Sequence, residues 1–159
     1  MAKVARAARV ASRQRAETLG NGTSAPTAKV IQPGETGELY LINHNHASDL
    51  AITLPPMQDG AYFKFVWKLK ATDNAADVVI SSNEGTSGDF AGSILEFTDS
   101  ATDGAVANET ANPSSHKVLR IGSADDTFIG SWVECVCDGT KWYWSGCILG
   151  DAVGTVAFS

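Results

Sequence analysis

No run of apolar residues in this 159-residue chain approaches the ~20 needed to cross a bilayer as a helix. The N-terminus also lacks the apolar stretch of a secretory signal. The expectation is a soluble protein made in a cytoplasm. Cysteine is scarce and odd in number, three residues with no CxxC pair. That pattern fits a reducing site of synthesis and speaks against a disulfide framework. HExxH, GxSxG, Walker and GxGxxG patterns are missing. The acidic residues are spread over loop-like segments with no distinguishing context, so surface solvation accounts for most of them. The expectation is that the chain is not an enzyme and carries no cofactor.

Basic residues are few beyond the start of the chain. Lys3, Arg6, Arg9, Arg13 and Arg15 face no acidic residue up to position 16, whereas the remainder holds seven basic against eighteen acidic residues, a net charge of -11. An acidic body is a poor ligand for phosphate backbones, so nucleic acid is not the expected partner. Residues 1–19 are rich in Ala and Arg and can form a marginal helix. Residues 20–26 read as a flexible link. Residues 1–27 are therefore expected to be a basic arm and linker, extended or helical, and residues 28–159 the body. On this division, removing residues 1–25 takes away no strand.

From residue 28 onward, short β-prone runs are separated by Gly, Pro, Asn and Asp about every ten residues, the spacing of a sandwich or barrel. Strands are predicted over 28–32, 38–43, 50–54, 62–69, 77–81, 92–97, 117–121, 131–137, 142–148 and 155–158. The fold expected is all-β, a jelly-roll-like antiparallel sandwich. In the 62–69 run, Phe63, Phe65, Trp67 and Leu69 alternate with Tyr62, Lys64, Val66 and Lys68, the clearest half-buried strand in the chain. Residues 82–113 are small, polar and acidic around one short apolar run, and read as long loops.

The stretch "CDGTKWYWSGC", residues 137–147, reads as a hairpin with its turn at Gly139 and Thr140. That register sets Cys137 opposite Trp142, Cys135 opposite Trp144 and Val133 opposite Gly146 on an apolar face. The other face carries Glu134 with Ser145, Val136 with Tyr143, and Asp138 with Lys141 as an opposite-charge pair. Cys147 points away from the other two cysteines, which disfavours an intra-hairpin disulfide or a three-thiolate metal site. Trp132 and Tyr143 are left as the aromatics on the exposed side, able to pack against a neighbouring subunit or to stack on a sugar ring. In "NHNH", residues 43–46, His44 and His46 face the same way if the segment is extended. Two ligands are too few for a tight metal site, and the alternative is an exposed polar turn.

The order of these signals resembles small structural proteins of tailed bacteriophages. "AITLPPMQDGAYFKFVWK" (residues 51–68) is similar to the strand, Leu-Pro, Gly, aromatic-strand unit of capsid decoration proteins and of tail-fibre and spike modules. "DVVIS" (77–81) follows as the next strand, and "GSWVECVCDGTKWYWSG" (130–146) is similar to their closing hairpin. The resemblance spans about residues 50–146; the basic arm and the 82–113 stretch lie outside the common pattern. It implies a β-sandwich subunit, usually a homotrimer, built into a virion, and it carries over no catalytic residue. HxH motifs on the axis of trimeric phage fibres and spikes bind a transition metal, which keeps His44 and His46 as minor metal candidates. A compact domain with a basic tether fits a decoration (cement) protein on the capsid surface. Its expected partners are the major capsid protein, reached by Lys3, Arg6, Arg9, Arg13 and Arg15, and further copies of itself. The alternative is a receptor- or glycan-binding module of a tail fibre or spike.

Overall fold

The computed structural model describes residues 15–71, 76–84, 88–98, 105–122, 127–151 and 155–159. Its strands are β1 (Ala16–Gly22), β2 (Lys29–Val30), β3 (Leu39–His44), β4 (Leu50–Thr53), β5 (Tyr62–Trp67), β6 (Val78–Ser81), β7 (Phe90–Thr98), β8 (Val106–Thr110), β9 (Val118–Ile121), β10 (Trp132–Cys137), β11 (Trp142–Gly150) and β12 (Val156–Phe158). A single 3-10 turn, Pro33–Glu35, is the one helical element among the described residues, and none of them forms a helix long and apolar enough to cross a membrane. Two sheets pack face to face, a larger one in the order β1-β3-β5-β10-β11-β7-β8 and a smaller one in the order β12-β9-β6-β4-β2. The molecule is an all-β sandwich.

Strand pairing is mixed, which corrects the purely antiparallel jelly roll expected from the sequence. Through β6 the chain alternates between sheets, so β1, β3 and β5 run parallel in one while β2, β4 and β6 run parallel in the other. Parallel neighbours need a crossover, and here a strand of the facing sheet provides it in place of a helix. From β7 on, hairpins and returns add antiparallel pairs, apart from the parallel pair β7–β11. Short β-prone runs give the existence of these strands, but nothing in a period-2 pattern distinguishes a neighbour's direction.

Alternation fills the space between the sheets. Leu50, Val78, Ile121 and Val156 form one in-register row of the smaller sheet, and Ile52, Ile80, Leu119 and Phe158 form the next. They meet Ile42, Phe63, Phe65, Ile94 and Trp142 of the larger sheet, each of these five essentially inaccessible to solvent. Full burial of one such side chain contributes roughly 1.5–3 kcal/mol. Tyr40 stacks on Phe65 with ring centres 5.3 Å apart, and Phe90 meets Trp144 edge-on at 5.2 Å. Among the buried carboxylates, Glu96 joins two strands of the facing sheets. Glu96 Oε2 accepts hydrogen bonds from Thr155 N at 2.9 Å, Thr155 Oγ1 at 2.7 Å and Val156 N at 3.3 Å, pinning the start of β12 to β7.

Two segments differ from expectation. Residues 16–22, read as the end of a helix and the beginning of a link, are edge strand β1, paired in parallel with β3 from Ala16↔Leu39 to Gly22↔His44. Leu19 is buried, so the body begins at the strand and not at residue 28. Ala, Glu and Leu favour a helix, but so short a run gains little from propensity alone, and burial of Leu19 together with ladder hydrogen bonds outweighs it. Residues 82–113 contain β7, longer than the predicted run, and a further strand, β8, that the loop reading missed. In β8 the alternation is exposed against half-buried, never reaching the core, because it lies at the sheet's edge. The polar "VANET" therefore shows no apolar period.

Candidate assembly surface

The outer face of the larger sheet is built by the residues that alternate with its core. Leu41, Val66, Trp132, Cys147 and Leu95 lie side by side in register across β3, β5, β10, β11 and β7. This is an apolar row over five strands. Leu95 is 44% exposed and the other four are half-buried. Further along the same face, Val136 and Tyr143 are paired and exposed, as are Leu149 and Phe97, next to Val106. Behind Phe97 and Leu149, a shallow pocket of about 340 Å³ is lined by these two with Thr98 and Phe128.

Beside the apolar row runs a polar one: Lys64, Glu134, Ser145, Ser93 and Thr110. Its two charges neutralise each other. Lys64 Nζ lies 3.2 Å from Glu134 Oε2 and 4.2 Å from the centre of the Trp132 ring, while Tyr62 OH donates to Glu134 Oε2 at 2.8 Å. Partial burial pushes the Glu134 carboxyl up, but the hydrogen bonds from Tyr62 and Lys64 and the ammonium charge outweigh it and hold it below its ordinary value. Burial, with the same hydrogen bond, pushes the Tyr62 phenol up to about 12. Glu134 thus stays ionised and Tyr62 stays a donor throughout the neutral range.

The hairpin that carries this face has the register expected from its sequence, Cys137↔Trp142, Cys135↔Trp144, Val136↔Tyr143 and Val133↔Gly146. Cys135 and Cys137 are buried and Cys147 lies on the outer face; all three are free thiols. Burial raises the pKa of each. The expected Asp138–Lys141 charge pair is replaced by two separate clamps. Asp138 Oδ1 accepts from Thr140 N, Thr140 Oγ1 and Lys141 N at 2.8, 2.7 and 2.9 Å, and Oδ2 accepts from Tyr143 OH at 2.9 Å. These hydrogen bonds hold its carboxyl well below the usual range. Lys141 Nζ instead donates to the carbonyls of Gly88 and Pro113, 2.7 Å to each, tying the turn to the segments around β7 and β8. Carbonyl oxygens left over by the loops offer that ammonium more than a carboxylate already saturated by its own turn.

The remaining candidates are placed as follows. Trp132 is half-buried with Lys64 against its ring, and Tyr143 is 43% exposed with its hydroxyl committed to Asp138. His44, expected in an exposed turn or at a metal axis, is buried at the end of β3; its Nε2–H donates to Ala76 O at 3.1 Å and its Nδ1 has no hydrogen-bond partner among the described residues. Burial lowers its pKa, so the ring is neutral. His46 is half-buried, and its Nδ1 accepts from Ser48 N at 3.0 Å. The turn starting after His44 sends the first ring into the core and leaves the second on local backbone. Lys3, Arg6, Arg9 and Arg13 lie outside the described residues, whereas Arg15 pairs with the buried Glu38 at 3.1 Å.

Among the described residues, the carboxylates of Glu17, Glu35 and Glu38 are the group of three close enough to share a cation, within 4.8 Å of one another. Lys29 Nζ already sits between two of them, 2.7 Å from Glu17 and 2.8 Å from Glu35. The cluster clamps β1, β2 and the 3-10 turn together, with Lys29 as its cation.

The smaller sheet presents a different outer face. Ala51, Val79, Arg120 and Ala157 form its central row, with Arg120 between Asp49 at 3.7 Å and Asp77 at 3.4 Å. The sequence signals located individual strands of the larger face, but its apolar row is visible only once the neighbours are known. Leu95 and Cys147 stand 52 positions apart in the chain and meet through a parallel pair that the hairpin reading did not contain. Comparison with protein-family models, with curated proteins and with solved structures finds no match to this chain.

Proposed function

We propose that this chain is a structural protein of a tailed-bacteriophage virion, a decoration protein that assembles as a homotrimer, sits on the outside of the head and braces neighbouring capsomers. The observation that carries this reading is the broad, charge-poor outer face of the larger sheet on an otherwise acidic body, next to an edge strand into which a basic segment leads. A rigid sandwich with one such face is suited to lasting contact between proteins. The resemblance of residues 50–146 to phage decoration and fibre units supplies the virion. Residues 1–14 are the proposed docking segment, with Lys3, Arg6, Arg9 and Arg13 facing the negative potential of the major capsid protein. Trp132 and Tyr143 belong to the subunit-facing surface. Covered by Lys64 and tied to Asp138, they favour this over the glycan-stacking alternative of a fibre or spike module.

Binding to emptied capsids tests the reading. The full chain is expected to bind, and a chain lacking residues 1–14 to lose most of its affinity, because a tethered segment adds to the body's contacts through effective concentration. Exchanging Arg6, Arg9 and Arg13 for Gln should weaken binding in part and leave the remainder less sensitive to salt. Equal affinity with and without residues 1–14 would remove the docking role, and a full chain that binds no capsid would remove the decoration role.

A further inference from the structure

We propose that the outer face of the larger sheet is the contact between copies of this chain, the three copies turning their Leu41–Val66–Trp132–Cys147–Leu95 rows towards one another around a common axis. The inference names the surface used by the self-assembly proposed above and rests on that part of the reading. Charge selects the occupant. Beyond position 16 the chain carries a net charge of -11, so copies repel wherever their charged surfaces meet. Of the charged residues in these strands, Lys64 and Glu134 are the ones turned to this face, and they are bonded to each other. Two acidic bodies can approach here without bringing like charges together, and depletion of charge at the centre is what distinguishes interface cores.

The basic N-terminal segment does not fit the same place. Glu134 already takes Lys64 and Tyr62, so among the described residues the strands of this face turn no uncommitted carboxylate towards four cationic side chains. Size agrees as well. Six strands at the usual spacing, about six residues long, make a face of roughly 600 Å², which side-chain relief raises towards the ~800 Å² per partner of a stable interface.

The test is the mass of the full chain by sedimentation at low-micromolar concentration, alone and with Leu95→Lys and Val136→Lys together. Both positions are exposed, 44% and 45%, so the fold has room for the lysines. The unaltered chain is expected to sediment as an oligomer. The double variant should be monomeric with an unchanged circular-dichroism spectrum, its self-association weakened by about a hundredfold or more, because each copy would bury unpaired charges. A variant that keeps the oligomer overturns this surface while leaving self-assembly and capsid binding standing. A monomeric unaltered chain overturns both surface and self-assembly, and capsid binding is judged separately. Should the variant fail to fold, labelling of Cys147 in the unaltered protein by a bulky maleimide decides. Protection that is lost on dilution supports the contact, and a rate independent of concentration contradicts it.

Discussion

Removing residues 1–25 is expected to lower the melting temperature by roughly 10 °C or more and to promote aggregation, whereas removing residues 1–14 should change the melting temperature by less than about 2 °C. The longer deletion takes away all of β1. With it go the burial of Leu19, of the order of 2 kcal/mol, and the hydrogen-bonded pairing with β3. It also strips Glu38 of Arg15 and Lys29 of Glu17, leaving a buried carboxylate without its cation. Finally it turns β3 into an open edge of sequence Leu-Tyr-Leu-Ile-Asn-His, a β-prone template for other chains. The shorter deletion stops before Arg15 and touches none of these contacts. Thermal unfolding of the two truncated chains side by side checks the boundary. If both melt like the full protein, β1 contributes nothing to the fold.

That boundary marks where sequence reasoning stopped. A strand announces itself when one face is apolar and the other polar, as in β5 and in the β10–β11 hairpin, where Phe63 and Phe65 or Trp142 and Trp144 repeat at every second position. The hairpin's pairings followed from turn chemistry and parity together, because a two-residue turn leaves one register. β1 has a single buried apolar residue, Leu19, and β8 has none. Neither carries a period, and both are fixed by the neighbour they lie beside. The candidate surface was harder still to read. Cys147 and Trp132 were legible as partners within one hairpin, but Leu41, Val66 and Leu95 join them only through β3–β5, β5–β10 and β7–β11, which are pairings between segments distant in the chain.

Gly92→Ala is expected to destabilise the protein by about 3 kcal/mol or more, the largest effect of any single methyl group added to the sheet. Two costs combine. Gly92 sits at φ +101, a backbone conformation that side chains with a Cβ rarely adopt. An added Cβ would also drive into the carbonyl oxygen of Trp144, the residue paired with it across β7–β11, and backbone on backbone cannot step aside. The close approach at Gly92 holds Phe90 edge-on against Trp144, so a shift there propagates into the core. Gly60→Ala separates the two costs, since Gly60 has φ +80 with nothing near its Cβ position. It should cost only about 1 kcal/mol. Urea unfolding of both variants measures the difference, and equal destabilisation would mean that the strands do not approach as closely as Gly92 and Trp144 do here.

The proposed place of the protein in a virion is tested most directly by locating it there. Electron micrographs of intact virions whose copies of this chain are labelled, by an antibody or a gold-tagged variant, should show the label distributed over the head. Label confined to the tail or its fibres, or absent from the particle, would contradict the account.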